Sequence, residues 1–163
     1  MTIRILVTGG TFDKEYDEIH GNLYFKETHL NEMIRLGRCS VDVEIITVMM
    51  IDSLEMTDSD REIIVRYCQK CEETNIVITH GTDTMEVTAK ILGEANIPKT
   101  IVLTGAMIPY KFGSSDGFFN LGSAIAFVQT LKSGVYVAMN GRNFDWNNVH
   151  KNKTTGMFEE LNL

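Results

Sequence analysis

The sequence predicts an α/β domain of the Rossmann-like or flavodoxin-like kind: three layers, with a parallel sheet between helices. Three observations predict it. Short runs rich in β-branched residues alternate with helical patterns along the chain, and parallel strands need such crossovers. The runs are compact and apolar, as strands buried on both faces read. Polar residues and glycines gather just after the runs, where ligands bind in sheets of this class.

Each element has its own reason. Ile3 to Thr8 reads as a central buried strand, and Gly9-Gly10 lets the backbone turn sharply after it. Phe12 to Lys26 is polar and aromatic, without helical period, and too long for a simple connector; a functional lid or hairpin is expected. A short helix begins near Thr28, with Leu30, Met33, Ile34 and Leu36 on its apolar face, and Gly37 stops it. Val43 to Met50 is the next strand, and Ser53 to Asp58 a polar loop. Ser59 with Glu62 suggests a capping box for a helix from Asp60 to Glu73, whose inner face reads Ile63, Ile64, Tyr67, Cys68 and Cys71.

Asn75 to Thr79 is a third strand, followed by the turn Thr79-His-Gly-Thr-Asp-Thr84 and a helix from Met85 to Ala95. Thr100 to Thr104 is a fourth strand. A Gly- and Ser-rich loop, Gly105 to Gly117, leads to a helix carrying Phe118, Leu121, Ile125 and Val128, ended by Ser133-Gly134. Val135 to Met139 is a fifth strand, and the tail from Asn140 is polar. The whole chain, 1–163, is expected to be one domain that starts at its own Met1 and closes after a complete set of strands.

Composition narrows the function. The formal charge is −7, and Lys and Arg are scattered among acids, so no nucleic-acid surface is expected. No stretch has the length of a membrane span. The N-terminus lacks a signal-peptide pattern, and the three cysteines cannot all pair, so the cytoplasm is expected. Cys68-x-x-Cys71 sits near a helix end, not its start, and no second ligand pair exists for zinc; buried helix-face thiols are the better reading.

The chemistry concentrates in two strand-to-helix turns. One is the Thr79–Thr84 stretch, dense in hydroxyls, a carboxylate and an imidazole; the other is Gly9-Gly-Thr-Phe-Asp13. Asp83 or Thr82 could simply cap a helix, but a second turn of the same kind argues for a site. No G-x-G-x-x-G follows the first strand and no P-loop lysine follows Gly10, so no cofactor is expected. Gly113-Ser-Ser-Asp-Gly117 fits G-x-S-x-G, but Ala106 to Phe112 separates Ser115 from its strand, unlike a nucleophile elbow. No metal-ligand spacing is present. Hydroxyl chemistry remains: Thr11 or Thr82 as nucleophile, with Asp83, Tyr16 or a lysine to activate it. His80 reads as a structural hydrogen-bonder.

These stretches resemble a known family. Thr8-Gly-Gly-Thr-Phe-Asp13 and Thr79-His-Gly-Thr-Asp-Thr-Met-Glu86 are similar to the two signatures of the bacterial-type L-asparaginases. Gly105-Ala-Met-Ile-Pro109 with Asp116-Gly-Phe-Phe-Asn-Leu121, and Val149-His-Lys-Asn-Lys-Thr-Thr155, are similar too, in the family's order over nearly the whole chain. The resemblance implies the fold of that family's N-terminal domain and hydrolysis of L-asparagine to aspartate and ammonia. It implies Thr11 as nucleophile of an acyl-enzyme, Tyr16 as a lid tyrosine, and Thr82, Asp83 and Lys151 as a second catalytic triad. Ser53 would bind the substrate α-carboxylate and Asp83 its ammonium; backbone N–H groups at Thr82 and Ala106 would face the oxyanion. Two departures stand out. The second, smaller domain of full-length relatives has no counterpart here, and Leu54 stands where many of them have a glutamine. A homodimer or larger homo-oligomer is expected to complete the site. The alternatives are an amino-acid-binding or regulatory homologue without turnover, or an amidase or glutaminase for a different small amide.

Overall fold

The computed structural model describes residues 1–161. Its frame is a six-stranded sheet: β1 (Thr2–Gly9), β4 (Asp42–Ile51), β5 (Asn75–Thr79), β6 (Thr100–Thr104), β7 (Gly134–Met139) and β8 (Arg142–Asp145). The hairpin strands β2 (Lys14–Asp17) and β3 (Asn22–Phe25) lie outside it. The order across the sheet is β4-β1-β5-β6-β7-β8. Five strands are parallel, and β8 returns antiparallel beside β7 as an edge. The expected parallel sheet is therefore mixed at one rim. The polar tail had no apolar run to announce β8, which needs burial only at Phe144.

Four helices cover the sheet: α1 (Leu30–Leu36), α2 (Asp58–Lys70), α3 (Met85–Glu94) and α4 (Gly117–Thr130). Alternate strand residues feed two cores. Leu6, Ile76, Ile78, Ile101 and Leu103 pack under α2 and α3; Ile3, Ile5, Val7, Val77 and Val102 pack under α1 and α4. Each fully buried branched aliphatic contributes about 1.5–3 kcal/mol, so the two layers hold the sheet rigid.

The crossovers differ in hand. The steps β4→β5, β5→β6 and β6→β7 run the same way along the sheet, and β1→β4 runs the other way. The crossover through α1 reverses both direction and face, so it shares the hand of those through α2 and α3. The crossover through α4 reverses face alone and has the opposite hand. Since such connections are right-handed in nearly all sheets, β6–α4–β7 is a left-handed exception. Its effect is to carry the loop from Gly105 to Asp116 onto the face of α1. There a 3-10 turn, Tyr110–Phe112, meets the Thr11–Asp13 turn and β2.

Three local expectations are corrected. The capping box of α2 uses Thr57 and Asp60, not Ser59 and Glu62: Thr57 Oγ1 accepts from the Asp60 N–H, and Asp60 accepts from the Thr57 N–H at 2.8 Å. The inner stripe of α2 is narrower than its sequence suggests. Ile64 and Cys68 are buried, while Ile63 and Tyr67 face outward. Phe118 on α4 is also exposed, and that helix ends at Thr130, before the Ser133-Gly134 pair. The Phe12–Lys26 stretch is the expected hairpin, entered through the 3-10 turn.

Candidate functional site

The carboxyl ends of β1, β4 and β5 lie side by side, and three turns leave the sheet together. Their contact is close enough to require glycine. Gly10 has φ of 80°, and a Cβ there would lie 2.4 Å from the Gly81 nitrogen. A Cβ on Gly81 would lie 2.5 Å from Ser53 Oγ. The Thr11, Ser53 and Thr82 turns are thus in backbone contact although they are far apart in sequence. On the other side, a Cβ at Gly105 would meet His80 O at 2.4 Å and Thr82 Cγ2 at 3.4 Å, which brings the Ala106 turn against the same point.

Lys151 completes the cluster from the far end of the chain. It lies on β9 (His150–Lys151), which pairs with β10 (Phe158–Glu159) as a small ribbon. Its Nζ donates to Thr82 Oγ1 at 2.8 Å and to Asp83 Oδ1 at 3.0 Å. The lysine side chain is largely buried, while Asp83 is open to solvent. Thr82 is itself buried, and its hydroxyl also lies 3.6 Å from Met107 Sδ. An ammonium this close favours loss of a proton from a neighbouring hydroxyl or water.

Beneath these turns is a buried polar layer that the sequence did not announce. Arg61 donates to Thr84 Oγ1 and Thr88 Oγ1, each at 3.0 Å, and to Met56 O at 3.1 Å. Thr84 donates to Ser53 O at 2.8 Å. His80 is completely buried, with Nδ1 2.7 Å from Gly81 O and Nε2 2.7 Å from Thr88 Oγ1. Burial holds its pKa down to about 4, so the ring is neutral and serves the turn as a strut. Helix periodicity marks Arg61 only as a polar residue on α2; nothing local says that it points inward.

The Ser53 hydroxyl is buried under the Gly81 turn and, among the described residues, has no hydrogen-bond partner. Leu54, directly after it, is 72% exposed. Ala106 is buried, and its neighbours are fixed from α4: Asn120 donates to Gly105 O at 2.9 Å, and Asp116 accepts the N–H groups of Met107 and Ile108. Ser115 belongs to this loop as a brace, accepting from the Gly117 N–H at 2.9 Å and donating to Ile108 O.

Thr11 is half-buried at the start of its 3-10 turn. The hairpin after it is tied to the sheet by an ion pair from Lys14 to Asp52, which holds the Asp52 carboxyl below its usual range. Asp13 is buried and accepts from the His29 N–H at 2.9 Å; burial pushes its pKa up. Tyr16 is not gathered with the others. It is 53% exposed on β2, with its ring edge-on to Phe112 at 6.5 Å. The structure therefore brings Thr11, Ser53, Thr82, Asp83, Ala106 and Lys151 to one rim and leaves Tyr16 on the outer hairpin.

The thiols Cys39, Cys68 and Cys71 are free; Cys68 is buried, and burial pushes its pKa up to about 12, so that thiol is inert packing, while Cys71 is half-buried with the Lys99 amine 3.4 Å from its sulfur. Among the described residues, no group of three or more His, Cys, Asp or Glu side chains is gathered as a metal site would need. No helix among them is long and apolar enough to cross a membrane.

Fold and site together define a class: a doubly wound α/β domain with a hydroxyl–ammonium–carboxylate cluster at the carboxyl rim of its sheet. The chain belongs to the asparaginase family, whose N-terminal model (Asparaginase, N-terminal) matches residues 2–162. It is 34% identical to L-asparaginase 2 of Escherichia coli, over 98% of this chain and 49% of that protein. It is 33% identical to the probable periplasmic L-asparaginase of Haemophilus influenzae, over 95% of this chain and 47% of that one. Among solved structures, the thermostable L-asparaginase from Thermococcus kodakarensis superposes with a TM-score of 0.88 at 29% identity, covering all of this chain and 52% of that chain. The chain thus spans about half the length of the curated relatives it matches.

Proposed function

We propose that this chain hydrolyses L-asparagine to aspartate and ammonia through Thr11 as nucleophile and an acyl-enzyme. The observation that carries the reading is the Lys151 amine at 2.8 Å from the Thr82 hydroxyl and 3.0 Å from Asp83, beside the turn that bears Thr11. In this reading the Thr11 hydroxyl attacks the side-chain amide carbon, its proton passes to the departing nitrogen, and ammonia leaves. Thr82, with Lys151 beside it, then activates the water that releases the acid. The unpartnered Ser53 hydroxyl takes the substrate carboxylate, and Asp83, open to solvent, takes the ammonium. Backbone N–H groups of the Thr82 and Ala106 turns face the oxyanion. Tyr16 would act only after the hairpin closes, as lid residues do.

The chain is taken as one catalytic unit, residues 1–163, that works without a cofactor, and a second copy is taken to close the open rim. Three free thiols favour a reducing compartment, hence the cytoplasm. The test is ammonia release from asparagine and glutamine by purified protein. Turnover lost in Thr11→Ala and partly kept in Thr11→Ser is the expected result; wild-type protein that binds aspartate but releases no ammonia would favour a binding or regulatory role. A second reading rests on Leu54 and Met107, which give the rim exposed apolar surface. It is an amidase or glutaminase for a different small amide, separated from the first by kcat/KM across a panel of amides.

A further inference from the structure

We propose that Glu86 is a positioning residue: its carboxylate holds the backbone of β9 where the Lys151 amine reaches Thr82. Glu86 Oε2 accepts the Lys151 N–H at 3.1 Å, across 65 residues of sequence. Glu86 lies in the first turn of α3, where the helix dipole favours a carboxylate, and only three residues after Asp83. The contacts close a ring. The start of α3 supplies Thr82 and Asp83 to the lysine amine and Glu86 to the same lysine's backbone, so both ends of one residue are referred to one helix terminus.

The ribbon needs such a tie. Its strands have two residues each, and a ribbon that short has little stability of its own. Val149 and Phe158 are buried and attach it to the core, and Asn140 accepts the Phe158 N–H at 2.9 Å. Those contacts press the ribbon onto the domain. Among the described residues, the bond to Glu86 is the one side-chain bond from the body of the domain to residue 151's own backbone. A lysine has four flexible methylenes, so its amine stays on a 2.8 Å contact only if its backbone is fixed.

The kinetic part rests on the hydrolase reading above; the geometric part does not. The test pairs Glu86→Asp with Glu86→Gln. Aspartate keeps the charge at the helix start but reaches about 1.5 Å less far; glutamine keeps the reach and an acceptor oxygen without the charge. Lys151 accessibility is read as its acylation rate with acetic anhydride, mapped by mass spectrometry, in proteins whose melting curves show them folded. Glu86→Asp is expected to acylate several-fold faster at Lys151 and to lower kcat about 10–100-fold with little change in KM, because a displaced catalytic group loses rate, not substrate affinity. Glu86→Gln is expected to stay near wild type in both. Unchanged Lys151 acylation in Glu86→Asp overturns the proposal, as does acylation in Glu86→Gln as fast as in the aspartate variant. If wild-type protein releases no ammonia, the hydrolase reading fails while the acylation comparison still decides the role of Glu86.

Discussion

The Thr82 turn and the Thr11 turn leave neighbouring strands of one sheet, yet they are held in different ways. Around Thr82 the support comes from every side. Gly10, Ser53 and Gly105 press on its backbone, Arg61 and His80 fill the layer below, and Lys151 caps the hydroxyl. Thr11 shares the glycine contact on one side, but its turn runs on into a two-stranded hairpin that meets the body through Lys14–Asp52, Asp13–His29 and a Tyr16–Phe112 edge contact. One half of the rim is preorganised; the other half opens onto an exposed arm. A hydrolase gains from this division, because charge stabilisation wants a rigid frame and substrate entry wants a movable one.

The sharpest way to break the comparison is at its rigid half. Lys151→Met keeps much of the side-chain length and removes the amine, leaving Thr82 and Asp83 without their cation. Turnover is expected to fall about 10²–10³-fold, the scale of removing one preorganised charge-stabilising group. Ammonia release measured against a Thr11→Ala blank checks it, and a loss under tenfold would place Lys151 outside the chemistry.

Next comes the seam between the halves. Gly10→Ala adds a Cβ 2.4 Å from the Gly81 nitrogen at a φ of 80°. Backbone cannot yield there as a flexible side chain would, so the expected loss is about 3 kcal/mol or more in urea unfolding. A variant within 1 kcal/mol of wild type would mean that the turns do not interlock.

His80 tests the layer below. Its folded pKa of about 4 lies below the unfolded value of 6.5, so between these values the unfolded chain binds the extra proton. Stability from this group is full above pH 6.5 and is lost as pH falls toward 4, by about 3 kcal/mol in all. An imidazole NMR titration that shows His80 charging near pH 6.5 would rule out a neutral, buried strut.

The smallest effect belongs to the exposed arm. Tyr16→Phe preserves the edge contact with Phe112 and removes only the hydroxyl. Stability is expected to change by less than about 0.5 kcal/mol, as for other exposed positions. A fall in kcat at unchanged KM would assign the hydroxyl to a closed state of the hairpin; unchanged kinetics would leave Tyr16 as surface.

Much of the fold and the rim was legible in the sequence, because strand patterns and turn chemistry are local. Ile3–Thr8, Asn75–Thr79 and Thr100–Thr104 read as strands from their own residues, and the rule that ligands meet the carboxyl ends of parallel strands placed Thr11, Ser53 and Thr82 on one rim. Arg61 was illegible, since a guanidinium on a helix looks solvated until Thr84 and Thr88 are seen to receive it. Glu86 and the Lys14–Asp52 tie were illegible for the same reason, as each joins elements whose spacing no single segment records.

By itself, then, the chain's order of residues determined the five parallel strands, the two hydroxyl-bearing turns and their shared edge, because apolar periodicity and glycine placement act over a few residues. The tertiary structure alone decided the left-handed step through α4, the inward turn of Arg61 beneath the Thr82 turn, and the outward position of Tyr16. Handedness is a relation between elements, and burial depends on what packs above; neither is carried by any local stretch of sequence.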